Sequence, residues 1–486
     1  MPNWFRNPLR HPAVYVAIVL VVVAAVLLGI YNGRHAVVQI TETTLASGRF
    51  GSLHVYRGDT PPQQLVLFVS GEDGWQDDVA TMARALVKPG VMVMGIDINQ
   101  YRKGVSTSTD YCDYPAGELE ALSRTLQQQY GLPKYRPPIL VGYAGGATLV
   151  YVALAQSPKN TFTGAISLAF QPTLKLTKSL CKGLGSLTWN WRKDDKGMGF
   201  DPATSLPAPW LVLHADHDHA RSEVAAFVNK IPGAKLVVLP NVGDTPLHAT
   251  DWIPQLQASF TRLTNSVESV PTGAATATAL DNLPLIEVPA VKGSKQNDLM
   301  AVVVSGDGGW ANIDRDVAGE LATQGIPTVG WDSLHYFWSR RTPDSIGQDL
   351  SRVLNYYLKA WDKHRVLLIG YSLGADVLPF MASRLPADVK GKVVLVALLG
   401  ISQSVDFEFR LTDWLPGSQV AAPHLTGPEV AKLMPLRVLC VYGAEEDDSL
   451  CPQADSAAIS VRKLPGGHHF NGDYQTLTRI ILETAR

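Results

Sequence analysis

The segment Arg365-Val-Leu-Leu-Ile-Gly-Tyr-Ser-Leu-Gly-Ala-Asp-Val-Leu-Pro-Phe380 runs an apolar, β-branched stretch into Gly-x-Ser-x-Gly and then into a helical pattern. Such a chain has few options. The strand must be buried, the glycines permit a tight strand-to-helix turn, and the turn exposes the Ser372 hydroxyl to a base and to backbone N–H groups. The same segment occurs earlier as Ile139-Leu-Val-Gly-Tyr-Ala-Gly-Gly-Ala-Thr-Leu-Val150, where Ala144 stands in place of the serine.

Further correspondences follow in the same order, which makes accidental similarity untenable. Leu67-Phe-Val-Ser-Gly-Glu-Asp-Gly-Trp75 answers Val302-Val-Val-Ser-Gly-Asp-Gly-Gly-Trp310, and Val93-Met-Gly-Ile-Asp97 answers Thr328-Val-Gly-Trp-Asp332. Trp210-Leu-Val-Leu-His-Ala-Asp216 answers Arg437-Val-Leu-Cys-Val-Tyr-Gly443, and His248 answers His468-His469. The chain is therefore a duplication. We expect residues 36–265 to form a degenerate, non-catalytic unit and 285–486 the catalytic one. A linker at 266–284, rich in small residues and proline, separates them.

In the second half, Met300–Val304, Thr328–Gly330, Val366–Ile369, Val393–Leu398 and Val438–Tyr442 read as buried parallel strands. Asp314–Gln324, Ser345–Ala360 and Leu373–Arg384 read as helices, the last expected to kink or shorten at Pro379. Alternation of this kind implies a doubly wound α/β sheet. With the elbow, it predicts two tandem α/β-hydrolase domains.

Before them, Arg6, Arg10 and His11 precede an uncharged apolar stretch, Ala13–Tyr31. Its length is close to the ~20 residues that cross a bilayer as a helix, and leading basic residues keep that side cytoplasmic. We read residues 1–35 as an uncleaved signal anchor in preference to a cleaved signal. The remainder is then exported to an oxidising compartment. Cys112 and Cys181 fall in the first half and Cys440 and Cys451 in the second, so one disulfide within each half is possible. A net charge of −2 gives no electrostatic reason for a nucleic-acid partner. His214, His217 and His219 alternate along one loop and are a weak basis for a metal site; neither metal nor cofactor is expected.

The triad order nucleophile, acid, histidine is met by Ser372, the cluster Glu445-Glu-Asp-Asp448, and His468/His469. Asp448 is the preferred acid, because Asp448-Ser-Leu-Cys-Pro452 has an Asp-x-x-x-Pro form common after that strand; Glu446 and Asp447 remain open. His469 is preferred over His468 as the base. Asp307 to Gly309 is the candidate oxyanion loop, with Asp307 and Gly308 on one side and the Leu373 N–H on the other.

Ser305-Gly-Asp-Gly-Gly-Trp310, Trp331-Asp-Ser-Leu-His-Tyr-Phe-Trp-Ser-Arg-Arg-Thr-Pro343 and the Ser372 elbow, with Asp447-Asp-Ser-Leu-Cys451 and Gly466-Gly-His-His-Phe470, resemble the AcvB/VirJ family of bacterial virulence proteins. The double-length form with a degenerate first half is similar to the AcvB-like members. The resemblance implies a periplasmic serine hydrolase that cleaves aminoacylated phosphatidylglycerol, chiefly lysyl-phosphatidylglycerol. Its partner would be a membrane phospholipid, met at the inner membrane through the N-terminal helix, with protein partners unknown. Asp376 and the carboxylates around Glu446 are then candidates for ammonium groups, and Arg340 and Arg341 for the phosphodiester. Trp331, Tyr336, Phe337 and Trp338 form either an aromatic lip or core. A peptidase or acyltransferase on the same triad, or a non-enzymatic scaffold of a secretion machine, are the competing expectations.

Overall fold

The computed structural model describes residues 39–486, apart from 109–111, 182–184, 193–196, 217–220, 241, 243–247, 269–279, 281, 294–297, 311, 409–423 and 455–458. The expected membrane anchor lies outside the described residues. Among those described, no helix is long and apolar enough to cross a membrane.

Each half builds its own sheet. Among the described residues the first has eight strands: β1 (Thr41–Ser47), β2 (Gly51–Arg57), β3 (Gln64–Val69), β4 (Val91–Ile96), β5 (Ile139–Tyr143), β6 (Gly164–Leu168), β7 (Trp210–Ala215) and β8 (Ala234–Leu239). Their order is β1-β2-β4-β3-β5-β6-β7-β8, with β2 antiparallel to β1 and β4 and the rest parallel. The second has seven: β9 (Leu285–Val288), β10 (Leu299–Val304), β11 (Thr328–Trp331), β12 (Arg365–Tyr371), β13 (Val393–Leu399), β14 (Val438–Gly443) and β15 (Ile459–Leu464). Their order, β9-β11-β10-β12-β13-β14-β15, repeats the first from its second strand onward, with β9 antiparallel. The two sheets are α/β-hydrolase-like, and among the described residues the half that keeps the serine shows no counterpart of β1.

Helices cover both faces of each sheet, and strand periodicity decides which residue goes where. Met300, Val302 and Val304 of β10 enter one core, whereas Leu299, Ala301 and Val303 enter the other. In β3, Leu65, Leu67 and Val69 part from Val66 and Phe68 in the same way. The duplication extends to hydrogen bonds. The Ser70 and Ser305 hydroxyls accept from the N–H groups of Ile98 and Ser333 at 3.1 and 3.0 Å. Tyr101 donates to Asp113 at 2.9 Å, as Tyr336 does to Asp349 at 2.6 Å. Disulfides join Cys112 to Cys181 and Cys440 to Cys451, one in each half.

Several boundaries differ from expectation. The last helix of the first half continues to Glu268, and Leu280 and Leu283 are already buried in the core of the second, so the proposed linker 266–284 is shorter at both ends. The elbow helix runs unbroken from Leu373 to Ser383 through Pro379, because every residue from Gly374 to Ala382 is buried and packing outweighs one lost backbone bond. The aromatic run is core. Trp331, Tyr336, Phe337 and Trp338 are all buried, the first three packed edge-on in a chain, and Trp338 clusters with Tyr135 of the first half.

Candidate active site

Ser372 follows β12 with φ 52 and ψ −123, a left-handed conformation that ordinary residues avoid. Close packing enforces it. A Cβ on Gly370 would lie 2.4 Å from the Gly374 carbonyl oxygen, and one on Gly374 would lie 2.0 Å from that of Val304. The elbow's two glycines are thus demanded by backbone contact. The Ser372 N–H is tied to the Leu399 carbonyl at 2.9 Å, and the helix that follows starts at Leu373, whose N–H has no partner within the first turn.

The β10 loop runs beside the nucleophile. A Cβ on Gly306 would be 3.3 Å from Ser372 Cβ, which brings the backbone of Asp307 and Gly308 to the side expected of an oxyanion donor. Ser305 itself is buried and donates to the Gly306 carbonyl, so its hydroxyl is structural.

The structure corrects the preferred acid and base. β14 ends at Gly443, and a tight turn, Glu446 N–H to Gly443 carbonyl at 3.1 Å, folds Glu446 back over the strand end. One oxygen of Glu446 pairs with His468 Nδ1 and the other accepts from the Gly443 N–H. Asp448, two residues beyond, is past the turn and exposed, as are Glu445 and Asp447. His468 lies against Gly400, the residue after Leu399: a Cβ there would meet the imidazole at 2.7 Å. His469 is exposed on the far side of the turn, its Nδ1 2.9 Å from the Tyr371 hydroxyl. Glu446 and His468 are therefore the pair assembled next to the elbow. A sequence signal existed: Glu446 follows the end of β14 at the offset by which Asp218 follows the end of β7. Asp218 itself lies outside the described residues.

The electrostatics are those of a poised base. The hydrogen bond that His468 donates to Glu446 raises the His468 pKa against the opposing effect of burial. Burial alone would lift Glu446, but His468 and the Gly443 N–H hold it below the usual carboxylate range. Although exposed at its edge, the His469 ring is partly desolvated against Tyr371, and this together with the charge of His468 lowers its pKa. Asp307 adds negative potential at His468 and at Asp376, a contribution of its side chain beside the backbone one the sequence predicts.

The substrate-binding candidates fare differently. Asp376 is buried and accepts from the Ser402 N–H at 2.7 Å, which makes it an anchor for the loop after β13 rather than an open ammonium receptor. Its burial pushes its pKa up to about 7. Arg340 pairs with Glu408 at 3.0 Å, and the Arg341 guanidinium lies 4.4 Å over the Tyr336 ring with Nε donating to the Tyr336 carbonyl. Arg341 is thus held within its own segment, whereas Arg340 is engaged by Glu408 from another loop. Among the described residues no group of His, Cys, Asp and Glu is arranged to hold a metal ion.

The first half has the same turn without the hydroxyl. Ala144 has φ 48 and ψ −118, and its N–H donates to the Leu168 carbonyl at 2.9 Å, as at Ser372. Glu72, in the place of Asp307, accepts at 3.0 Å from the Gly145 N–H, the counterpart of Leu373.

The two halves meet at this loop. Arg124, on the helix Pro115–Gln129, donates to the carbonyl oxygens of Asp307 (3.5 Å) and Gly308 (3.3 Å), and the Trp338 indole donates to the Leu132 carbonyl at 2.9 Å.

Among solved structures, the chain is similar to Est1E from Butyrivibrio proteoclasticus, at 14% identity and a TM-score of 0.30, covering 46% of this chain and 99% of that one. An α/β serine hydrolase without lid from Xanthomonas campestris shows 21% identity and a TM-score of 0.28 over 47% and 94% of the two chains. A putative thioesterase from Silicibacter sp. shows 15% and 0.33 over 50% and 96%. The fold stands on the strand order and elbow geometry, not on these distant likenesses. No curated protein matches the sequence significantly. The model of the bacterial virulence protein family VirJ matches residues 63–175 and 298–486, one segment in each half and more than half of the chain in total. The chain belongs to the VirJ family of bacterial virulence proteins.

Proposed function

We propose that the protein is a periplasmic serine hydrolase that cleaves the aminoacyl ester of aminoacylated phosphatidylglycerol, chiefly lysyl-phosphatidylglycerol, regulating membrane lipid charge and supporting virulence. The observation that carries the hydrolase reading is the Glu446–His468 pair beside the strained Ser372. Ser372 Oγ attacks the ester carbonyl while His468 takes its proton, and Glu446 stabilises the imidazolium. The Leu373 N–H and the Asp307–Gly308 backbone receive the oxyanion. The glycerol hydroxyl of the lipid leaves with the proton from His468, and water then releases the amino acid by the same steps.

Specificity for a cationic acyl group is supported by charge. Asp307, Glu446 and Asp376 all act electrostatically on His468, so the site carries a negative field into which an ammonium group is drawn. Asp307, half-buried and next to the reacting ester, is the better receptor; Asp376 contributes at longer range. An N-terminal anchor in the inner membrane would confine the enzyme to the surface that holds its substrate.

The test is incubation of the protein, with and without Ser372→Ala, with liposomes containing lysyl- or alanyl-phosphatidylglycerol, followed by chromatography of free amino acid and lipid. Serine-dependent release that is faster for the lysyl lipid is the expected outcome. Release unchanged by Ser372→Ala would remove the reading.

A further inference from the structure

The degenerate half touches the catalytic half at a chemically chosen place. Arg124 is buried, held by Glu120 at 2.7 Å, and its two terminal nitrogens donate across the junction to consecutive carbonyl oxygens of the candidate oxyanion loop, those of Asp307 and Gly308. A peptide unit is planar, so fixing a carbonyl oxygen fixes the N–H on the opposite side of the same plane. The planes gripped by Arg124 are those that carry the N–H groups of Gly308 and Gly309. The second donates to the Gly306 carbonyl at 3.1 Å and closes the turn; the first belongs to the candidate donor stretch.

The loop needs outside support. Gly308 and Gly309 have no side chains to pin it, and Gly309 sits at φ 76. Both residues line a cavity of about 240 Å³ at the junction, so there is space for the loop to shift. Its own half supplies the turn bond and, at the far end of the loop, the burial of Trp310 and a bond between the Trp310 backbone and the Asp332 carboxylate. The first half supplies a cation.

We infer that Arg124 is a positioning residue for the reaction at Ser372: the catalytically dead half completes the oxyanion hole of the live one by clamping the Asp307–Gly308 backbone. This rests on the reading of Ser372 as nucleophile. A fork of two donors into two carbonyls is geometry that arginine provides and lysine does not. Its charge also lies behind the peptide dipoles that face the developing oxyanion, and so strengthens them. Loss of one oxyanion donor costs about 10²–10³ in rate, and misorientation of a retained donor should cost less, about 10- to 100-fold.

The experiment uses the full chain, as wild type, Arg124→Ala, Arg124→Lys and Trp338→Phe. Trp338→Phe removes a different junction bond, that to Leu132, which does not involve the loop. Two readouts are taken: the rate of Ser372 phosphonylation by a fluorophosphonate at saturation, with its apparent inhibition constant, and hydrogen exchange of the peptide spanning 305–310. Arg124→Ala should slow phosphonylation about 10- to 100-fold with little change in the inhibition constant. It should raise exchange in 305–310 while the elbow helix 373–383 stays protected. Arg124→Lys should recover part of the rate, and Trp338→Phe should stay within about threefold of wild type. Wild-type rate and unchanged loop exchange in Arg124→Ala would overturn the inference, as would equal losses in Trp338→Phe. If wild type is not phosphonylated at Ser372, the nucleophile reading fails, and loop exchange alone still decides whether Arg124 holds the loop. Should Arg124→Ala fail to fold, Arg124→Lys carries the same comparison.

Discussion

Glu72 places its carboxylate on the N–H of Gly145, the first-half equivalent of the N–H that Leu373 presents at the catalytic elbow. A fixed anion at that position occupies the donor that an oxyanion would need. The elbow of the first half thus departs from that of the second twice, by the absent hydroxyl and by its own side chain.

Restoring the hydroxyl should therefore not restore the reaction. In a Ser372→Ala background, Ala144→Ser is expected to take up no fluorophosphonate, measured by mass spectrometry of the elbow peptide. Labelling at position 144 at a rate near that of native Ser372, with Glu72 intact, would contradict this.

The acid of the triad is settled by opposed substitutions. Glu446→Gln should lower kcat/KM by about 10³–10⁴, the scale seen when a triad carboxylate is replaced by its amide, because His468 loses the partner that orients Nδ1. Asp448→Asn, at an exposed position, should stay within about twofold. Steady-state kinetics on any turned-over ester distinguishes the two, and the reverse ranking would restore Asp448.

The pH profile follows from the same pair. His468 must be neutral to accept a proton, and its pKa is raised by Glu446, so kcat/KM should climb with pH with a midpoint above the ordinary histidine value of about 6.5. In Glu446→Gln the largest raising cause is gone and burial is left to act in the opposite direction. The midpoint should then fall as the plateau falls, and a midpoint that stays put would mean that another group titrates.

Asp376 makes a separate claim about stability. Its carboxyl is raised by burial to about 7 from 3.8. As pH rises between those values the unfolded chain gives up the proton first, so the folded state loses stability across that window, by an amount on the order of a few kcal/mol. Asp376→Asn keeps an acceptor for the Ser402 N–H and has no charge to desolvate. Urea unfolding should find it no more stable than wild type near pH 4 and more stable at pH 8, whereas Asp376→Ala forgoes the acceptor. A gap that does not widen with pH would count against the buried charge.

What could be read in the sequence was whatever depends on local backbone constraint. The elbows, the glycine loops and the alternation of β10 are written in residue type and period. The acid was not, because Glu446, Asp447 and Asp448 differ only in how the chain turns after Gly443, and that turn is set by its bond to Gly443 and by His468. The aromatic run around Trp331 has no period that separates a lip from a core, and what covers it comes from distant segments, Phe407 against Phe337 and Tyr135 against Trp338. The strands β9 and β15 are half-exposed edges whose mixed polarity hides them. Arg124 had no local signal at all: its role exists only where two domains meet.

Ala144 keeps the torsion angles of a nucleophile without being one. A non-glycine residue in so sparsely populated a region costs on the order of 1–3 kcal/mol, and Ala144 has no hydroxyl to display in return. It persists because Gly142 and Gly146 bring backbone against backbone, so relaxing the turn would mean moving the strand and helix it joins. One oxygen atom separates Ala144 from Ser372, whereas the posture that would display it is built into strand and helix together; the first half holds the stance of the reaction in a single pair of dihedral angles.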